Sequence, residues 1–168
     1  MGMFSFIKEA GEKLFGHGEA QAAQATAAAK PTPENVAALS KAAGDAIAAH
    51  INTLGLKVEG LQVGFDAPSG TVTVSGVAAD QATKEKVLLA CGNVHQVSSV
   101  KDMMTVAAGS AAESKMYEVV SGDTLSKISQ QFYGTPNKYT QIFEANKPML
   151  SDPNKIYPGQ MLRIPADA

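Results

Sequence analysis

The apolar positions of the chain change period several times, and each change marks an element. Val36, Leu39, Ala43, Ile47 and Ile51 step by three or four residues, the spacing of one helical face, and the pattern stops at Gly55. In LQVGFD (61 to 66), Leu61, Val63 and Phe65 alternate with polar positions, and TVTVSGV (71 to 77) alternates again after the turn APSG. That pair predicts a β-hairpin. Asp80 is placed to cap a second helix whose inner face holds Val87, Leu88 and Cys91 and which Gly92-Asn93 ends. A strand over roughly 97 to 106 completes a helix–strand–strand–helix–strand unit, two helices on one face of a three-stranded sheet.

A second unit starts at residue 116. MYEVV predicts a strand, Asp123 a helix cap, and Leu125, Ile128 and Phe132 the buried face of that helix. Gly134-Thr135-Pro136-Asn137 breaks it, and Tyr139, Ile142 and Phe143 mark another helix, ended by Asn146-Lys147-Pro148. IYPGQ then turns into the strand MLRIP. About 50 residues is near the lower size limit for a domain without disulfides or metal.

The remaining stretches divide the chain. Residues 1 to 15 predict an N-terminal amphipathic helix, with Phe4, Ile7, Gly11 and Leu14 on one face. So short a helix needs a docking surface, and Gly11 allows close approach. Residues 16 to 33, rich in Ala, Gln and Gly, lack large apolar side chains and read as a linker. Residues 107 to 115 read as a second, shorter linker between a domain at 34–106 and one at 116–168.

Fourteen basic residues against sixteen acidic ones leave a net charge of −2, with no Lys/Arg cluster to track a phosphate backbone. Nucleic acid is therefore not an expected partner. The first apolar group, Met3-Phe4-Ser5-Phe6-Ile7, has no positive charge before it and is cut short by Lys8 and Glu9, unlike a secretory signal. Nothing approaches a membrane-spanning length. A cytoplasmic monomer with no membrane partner is the expectation, and the single cysteine, Cys91, fits a reducing compartment.

Three resemblances follow from these residues. The last unit resembles a LysM domain, a strand–helix–helix–strand (βααβ) fold that binds chitin or peptidoglycan sugars. The matching residues are Tyr117, Val119, Gly122-Asp123-Thr124-Leu125, Ile128, Tyr133-Gly134, Ile142, Asn146, Ile156, Pro158-Gly159-Gln160, Leu162 and Ile164-Pro165. The middle unit resembles a BON domain, an αββαβ sandwich of bacterial proteins, through its element order, Gly76 after TVTVS, and GNVHQVSSV. The two in series, with GxFxFxKxAGEKLF at the start and IFEANKPMLxxPxKIYPGQxLRIP at the end, are similar to the bacterial potassium-binding protein family. Only the linker 16 to 33 departs from it, being longer and richer in Ala. The fold class implied is α+β, two small domains with a short N-terminal helix.

That resemblance implies a cytosolic K⁺-binding protein or sensor, with Rb⁺ or Cs⁺ as substitutes for K⁺, ordered and compacted by the ion. K⁺ is weakly hydrated and suits a cage of carbonyl oxygens, which helix ends and turns can supply. Guided by the family, the expected ligands are backbone carbonyls of Ile7, Ala10, Gly92, Val94 and Val97. An alternative is N-acetylglucosamine glycan binding by the LysM loops, through Gly122, Asp123, Thr124, Leu125, Asn146, Ile156 and Tyr157. Another is a non-enzymatic envelope-stress scaffold whose two modules bind proteins. Enzymatic chemistry finds little support. Cys91 and His95 are four apart, but the helix is expected to end between them and no further ligand is near in sequence. No phosphate-binding Gly loop is present.

Overall fold

The computed structural model describes the backbone of residues 3–5 and, in full, residues 32–94, 97–107, 109 and 112–167. Strand β1 is Met3–Ser5. Helix α1 (Pro33–Thr53) begins where Thr32 Oγ1 accepts the Asn35 N–H at 3.3 Å and Pro33 fills the first turn. Its Ala43, Ile47 and Ile51 are fully buried, as the apolar stripe predicts. Gly44 sits on the same face because the helix lies directly on the sheet: a Cβ there would come within 2.9 Å of the Val63 carbonyl oxygen.

The hairpin is β2 (Val58–Asp66) and β3 (Thr71–Ala78). Helix α2 (Gln81–Gly92) is capped by Asp80, which accepts the Thr83 N–H at 2.7 Å, and leads to β4 (Ser99–Val106). Strand β4 pairs parallel to β3, from Thr71↔Ser99 to Ala78↔Val106. The αββαβ order is as expected, but the sheet has four strands, in the order β1-β4-β3-β2.

The fourth strand corrects the expected N-terminal helix at its first residues. Met3–Ser5 pair antiparallel with β4 (Met3↔Lys101, Phe4↔Val100, Ser5↔Ser99). The outer edge of β4 carries N–H and C=O groups that need partners, and an extended segment supplies them where a helix does not. The rest of that predicted helix, and linker residues 16–31, lie outside the described residues.

The C-terminal domain is a two-stranded antiparallel sheet, β5 (Lys115–Glu118) and β6 (Met161–Ile164), with α3 (Leu125–Tyr133) and α4 (Tyr139–Ala145) between them. Val119, Leu125, Ile128, Ile142, Leu150, Leu162 and Ile164 form its core. Tyr117 and Phe132 meet edge to face at 5.5 Å. The cap of α3 is Thr124, whose Oγ1 accepts the Lys127 N–H at 3.2 Å, and not Asp123. Asp123 is held one step earlier: its Oδ2 accepts from Tyr117 Oη (2.8 Å) and the Val120 N–H (3.0 Å), closing the turn into the helix. That hydrogen bond raises the Tyr117 pKa.

The two domains share a core. Met161 joins the buried cluster of the middle domain, with Met116 and Met149 packed against it. This explains why α2 is buried from Val87 through Gly92 and not along one stripe only. The sheet covers one side of the helix and β6 the other.

Candidate ion-binding turn and the domain interface

The end of α2 is fixed by backbone hydrogen bonds. The Asn93 N–H donates to Leu89 O at 2.9 Å, Val94 N–H to Cys91 O at 3.3 Å, and Val97 N–H to Val94 O at 3.2 Å. In a trans peptide N–H and C=O point in opposite directions. Because the Asn93 N–H points back into the helix, the Gly92 carbonyl points out past its C-terminus, the negative end of the helix dipole. The Val94 carbonyl closes the turn to Val97, and a carbonyl oxygen has a second lone pair to offer. The side chains of Val94 and Val97 are buried in the core, which holds the turn's backbone in place.

Three of the five predicted carbonyl ligands, Gly92, Val94 and Val97, are thus brought onto one turn. Ile7 and Ala10 lie outside the described residues. Strand β1 ends with Ser5 opposite Ser99, two residues along the chain from Val97.

Asn93, between two of those carbonyls, reaches into the other domain. Its Nδ2 donates to Met161 O at 3.1 Å, and its Oδ1 accepts the Met161 N–H at 3.0 Å. The side-chain amide acts as a strand neighbour on the edge of β6 away from β5. Two residues further along β6, Asn146 does the same from within the C-terminal domain: Oδ1 accepts the Arg163 N–H (2.7 Å) and Nδ2 donates to Arg163 O (2.8 Å) and Ile142 O (2.7 Å). Two asparagines together satisfy a strand edge that would otherwise be buried without partners.

Beside them, Arg163 Nε pairs with Glu85 Oε2, while Glu85 Oε1 accepts from Gln81 Nε2 (3.0 Å) and the Ser114 N–H (2.9 Å). Burial pushes the Glu85 pKa up, but hydrogen bonds from Arg163, Gln81 and Ser114 together outweigh it and leave it lowered. A cleft of about 470 Å³ opens between the domains, lined in part by His50, Leu54, Asn93, Met149, Asp152 and Tyr157. Cys91 is fully buried and its pKa is pushed up to about 12 by burial, so the thiol stays protonated; His95 lies outside the described residues.

The predicted sugar-binding residues divide. Asp123, Thr124, Leu125 and Ile156 line a groove of about 360 Å³ together with Tyr139 and Asn154. Gly122 lies on the adjoining turn at φ +89°, its carbonyl accepting from Lys127 Nζ at 2.8 Å. Asn146 is corrected: it is 2% exposed and its amide is committed to backbone groups. Tyr157, next to Ile156, lines the cleft between the domains. Sequence reasoning missed Glu85, Asn93, Met161 and Arg163 as interface residues. Glu85 lies between Lys84 and Lys86 and Asn93 reads as a helix terminator, so neither stands out; the one available signal was an arginine inside the apolar run MLRIP.

Comparison with known proteins gives this geometry a context. The LysM domain model matches residues 117–165. A protein of Deinococcus radiodurans described as uncharacterized is 46% identical over 50 residues, 30% of this chain and 19% of that one. Potassium binding protein Kbp of Escherichia coli O6:H1 is 42% identical over 167 residues, 99% of this chain and 100% of that protein. With the likeness running the full length of both chains, through the α2 turn as well as the LysM unit, the protein belongs to the family of potassium binding protein Kbp.

Proposed function

We propose that this protein is a cytosolic potassium-binding protein that holds K⁺ through the backbone carbonyls of Ile7, Ala10, Gly92, Val94 and Val97. The observation that carries the reading is the pairing of Ser5, where β1 ends, with Ser99, two residues along the chain from Val97 of the α2 turn. Ile7 is two residues beyond Ser5 in sequence, and an extended chain spans about 7 Å over that many residues. The relative's name adds the ion. Neutral carbonyls suit K⁺ because its hydration is weak enough for dipoles to replace, whereas Na⁺ and Ca²⁺ hold their water or demand charged ligands. Drawing carbonyls from two distant stretches of chain makes occupation an ordering event, and compaction its signal.

Calorimetry in potassium-free buffer tests this. Saturable heat is expected with K⁺, and with Rb⁺ or Cs⁺ as substitutes, but not with Na⁺ or Ca²⁺; no heat with any ion removes the reading. Deleting residues 2 to 15 is expected to abolish K⁺-induced compaction in small-angle scattering. Compaction that survives the deletion removes Ile7 and Ala10 from the site.

A second reading rests on the groove at Asp123, Thr124 and Ile156. It predicts that N-acetylglucosamine oligomers shift the amide resonances of those residues. Titration to millimolar oligomer without shifts rules it out.

A further inference from the structure

Resting on the potassium reading above, we infer that Asn93 is the positioning residue that links the ion-binding turn to the docking of the C-terminal domain. Asn93 is the residue between Gly92 and Val94, and its side-chain amide makes paired hydrogen bonds with Met161, 68 positions away in sequence. Its N–H belongs to the same rigid peptide as the Gly92 carbonyl, and its C=O to the peptide that leads to Val94. Re-aiming the Gly92 carbonyl toward a cation turns the peptide attached to the Asn93 Cα and swings its Cα–Cβ bond. Two hydrogen bonds of 3.1 and 3.0 Å, both needing near-linear geometry, do not follow such a swing without moving β6 or breaking.

The link works in both directions. With β6 docked, the Asn93 side chain is pinned and the Gly92 carbonyl is held ready for the ion. With β6 released, the turn has more conformations to lose on binding, and K⁺ is held less tightly. Glu85–Arg163 contributes to the same interface but sits on α2 well before the turn, so it strengthens docking without steering that carbonyl.

The test uses the ¹⁵N-labelled full chain, K⁺ titration, and three variants. Asn93→Leu keeps the branching pattern and removes both hydrogen bonds, Asn93→Ala avoids any misfit of the larger leucine, and Glu85→Gln loosens the interface away from the turn. In the native chain, K⁺ is expected to shift the Met161 amide in step with those of Val94 and Val97. In Asn93→Leu and Asn93→Ala the turn still responds, K⁺ binds about tenfold more weakly, and the Met161 amide no longer follows the ion. In Glu85→Gln it still does. Native affinity and a native Met161 response in both Asn93 variants overturn the link while leaving the potassium reading intact. Absence of K⁺ heat and of Val94 and Val97 shifts in the native chain overturns the potassium reading, and the link with it. The amide dispersion of each variant reports directly whether it is folded, and Asn93→Ala decides the matter if leucine disturbs the fold.

Discussion

Arg163→Met is expected to destabilise the full chain by about 3 kcal/mol in urea unfolding, the range for removing one partner of a buried ion pair. Glu85 is 3% exposed, and the substitution leaves its carboxylate with the neutral donors of Gln81 and Ser114. Those two neutral donors keep the loss near the lower end of that range. Adding Glu85→Gln to Arg163→Met should recover part of it, because an amide is cheaper to bury than an unpaired charge. If Arg163→Met costs less than about 1 kcal/mol, the pair behaves as a surface ion pair and the domains are not locked by it.

The pH dependence has a definite sign. The folded pKa of Glu85 is below its unfolded value, since its three hydrogen-bond donors outweigh the effect of burial. Its contribution is therefore complete above the ordinary carboxylate range and is lost as pH falls through the lowered value, beneath that range. Acid should undock the domains of the native chain in that window. In Arg163→Met the main opposing influence is gone, burial dominates, and the pKa should rise. The stability gap between the two proteins should accordingly narrow as pH falls through the ordinary carboxylate range.

Elements with a strong period are legible in the sequence alone. The α1 stripe, the alternating hairpin and the α3 face each follow from local spacing, and Asp80 and Gly134 cap where their chemistry directs. Asp123 and Thr124 are adjacent, both capable of capping, and spacing alone does not choose between them. The structure gives the cap to Thr124 because Tyr117 and Val120 claim the Asp123 carboxylate. Met3–Ser5 departs from the helix pattern for a related reason. Phe4 and Ile7 fit a helix, Phe4 and Phe6 a strand, and the deciding factor is the open edge of β4, about 95 residues away.

The proposed site is the least legible part. Backbone carbonyls are common to every residue, so Gly92, Val94 and Val97 have no spacing signature of their own; a helix-ending Gly-Asn pair is the only local clue. Asn93 and Asn146 show the complementary difficulty. Both look like ordinary helix terminators in sequence, and Asn146 like a loop ligand as well. In the structure each replaces a missing strand on β6. A role defined by a partner 68 residues away leaves no trace in the residues next to Asn93.

Gly76→Ala should cost about as much as Arg163→Met, and should do so without touching the site. Residue 76 lies in β3 at φ +139°, opposite the place where β2 runs from Glu59 to Gln62 while β3 runs only from Val77 to Ser75. The extra residue is a β-bulge, and it presses β2 onto the glycine. A Cβ there would meet Val58 Cγ1 at 2.7 Å, Glu59 O at 3.0 Å and Leu61 Cα at 3.3 Å. A valine methyl can turn aside, but two of the three atoms are backbone of a paired strand. Strain from the positive φ and overpacking together amount to about 3 kcal/mol. Gly60, across the bulge at φ +62°, has open space around its Cβ position, so Gly60→Ala should cost only about 1 kcal/mol. Gly76 pairs with Met104, toward the end of β4 far from the Ser99 start that adjoins the ion turn. Calorimetry on folded Gly76→Ala should therefore give native K⁺ affinity while its urea midpoint falls. A matching loss of affinity would mean that the bulge and the turn move as one unit, and that the site extends along the whole of β4.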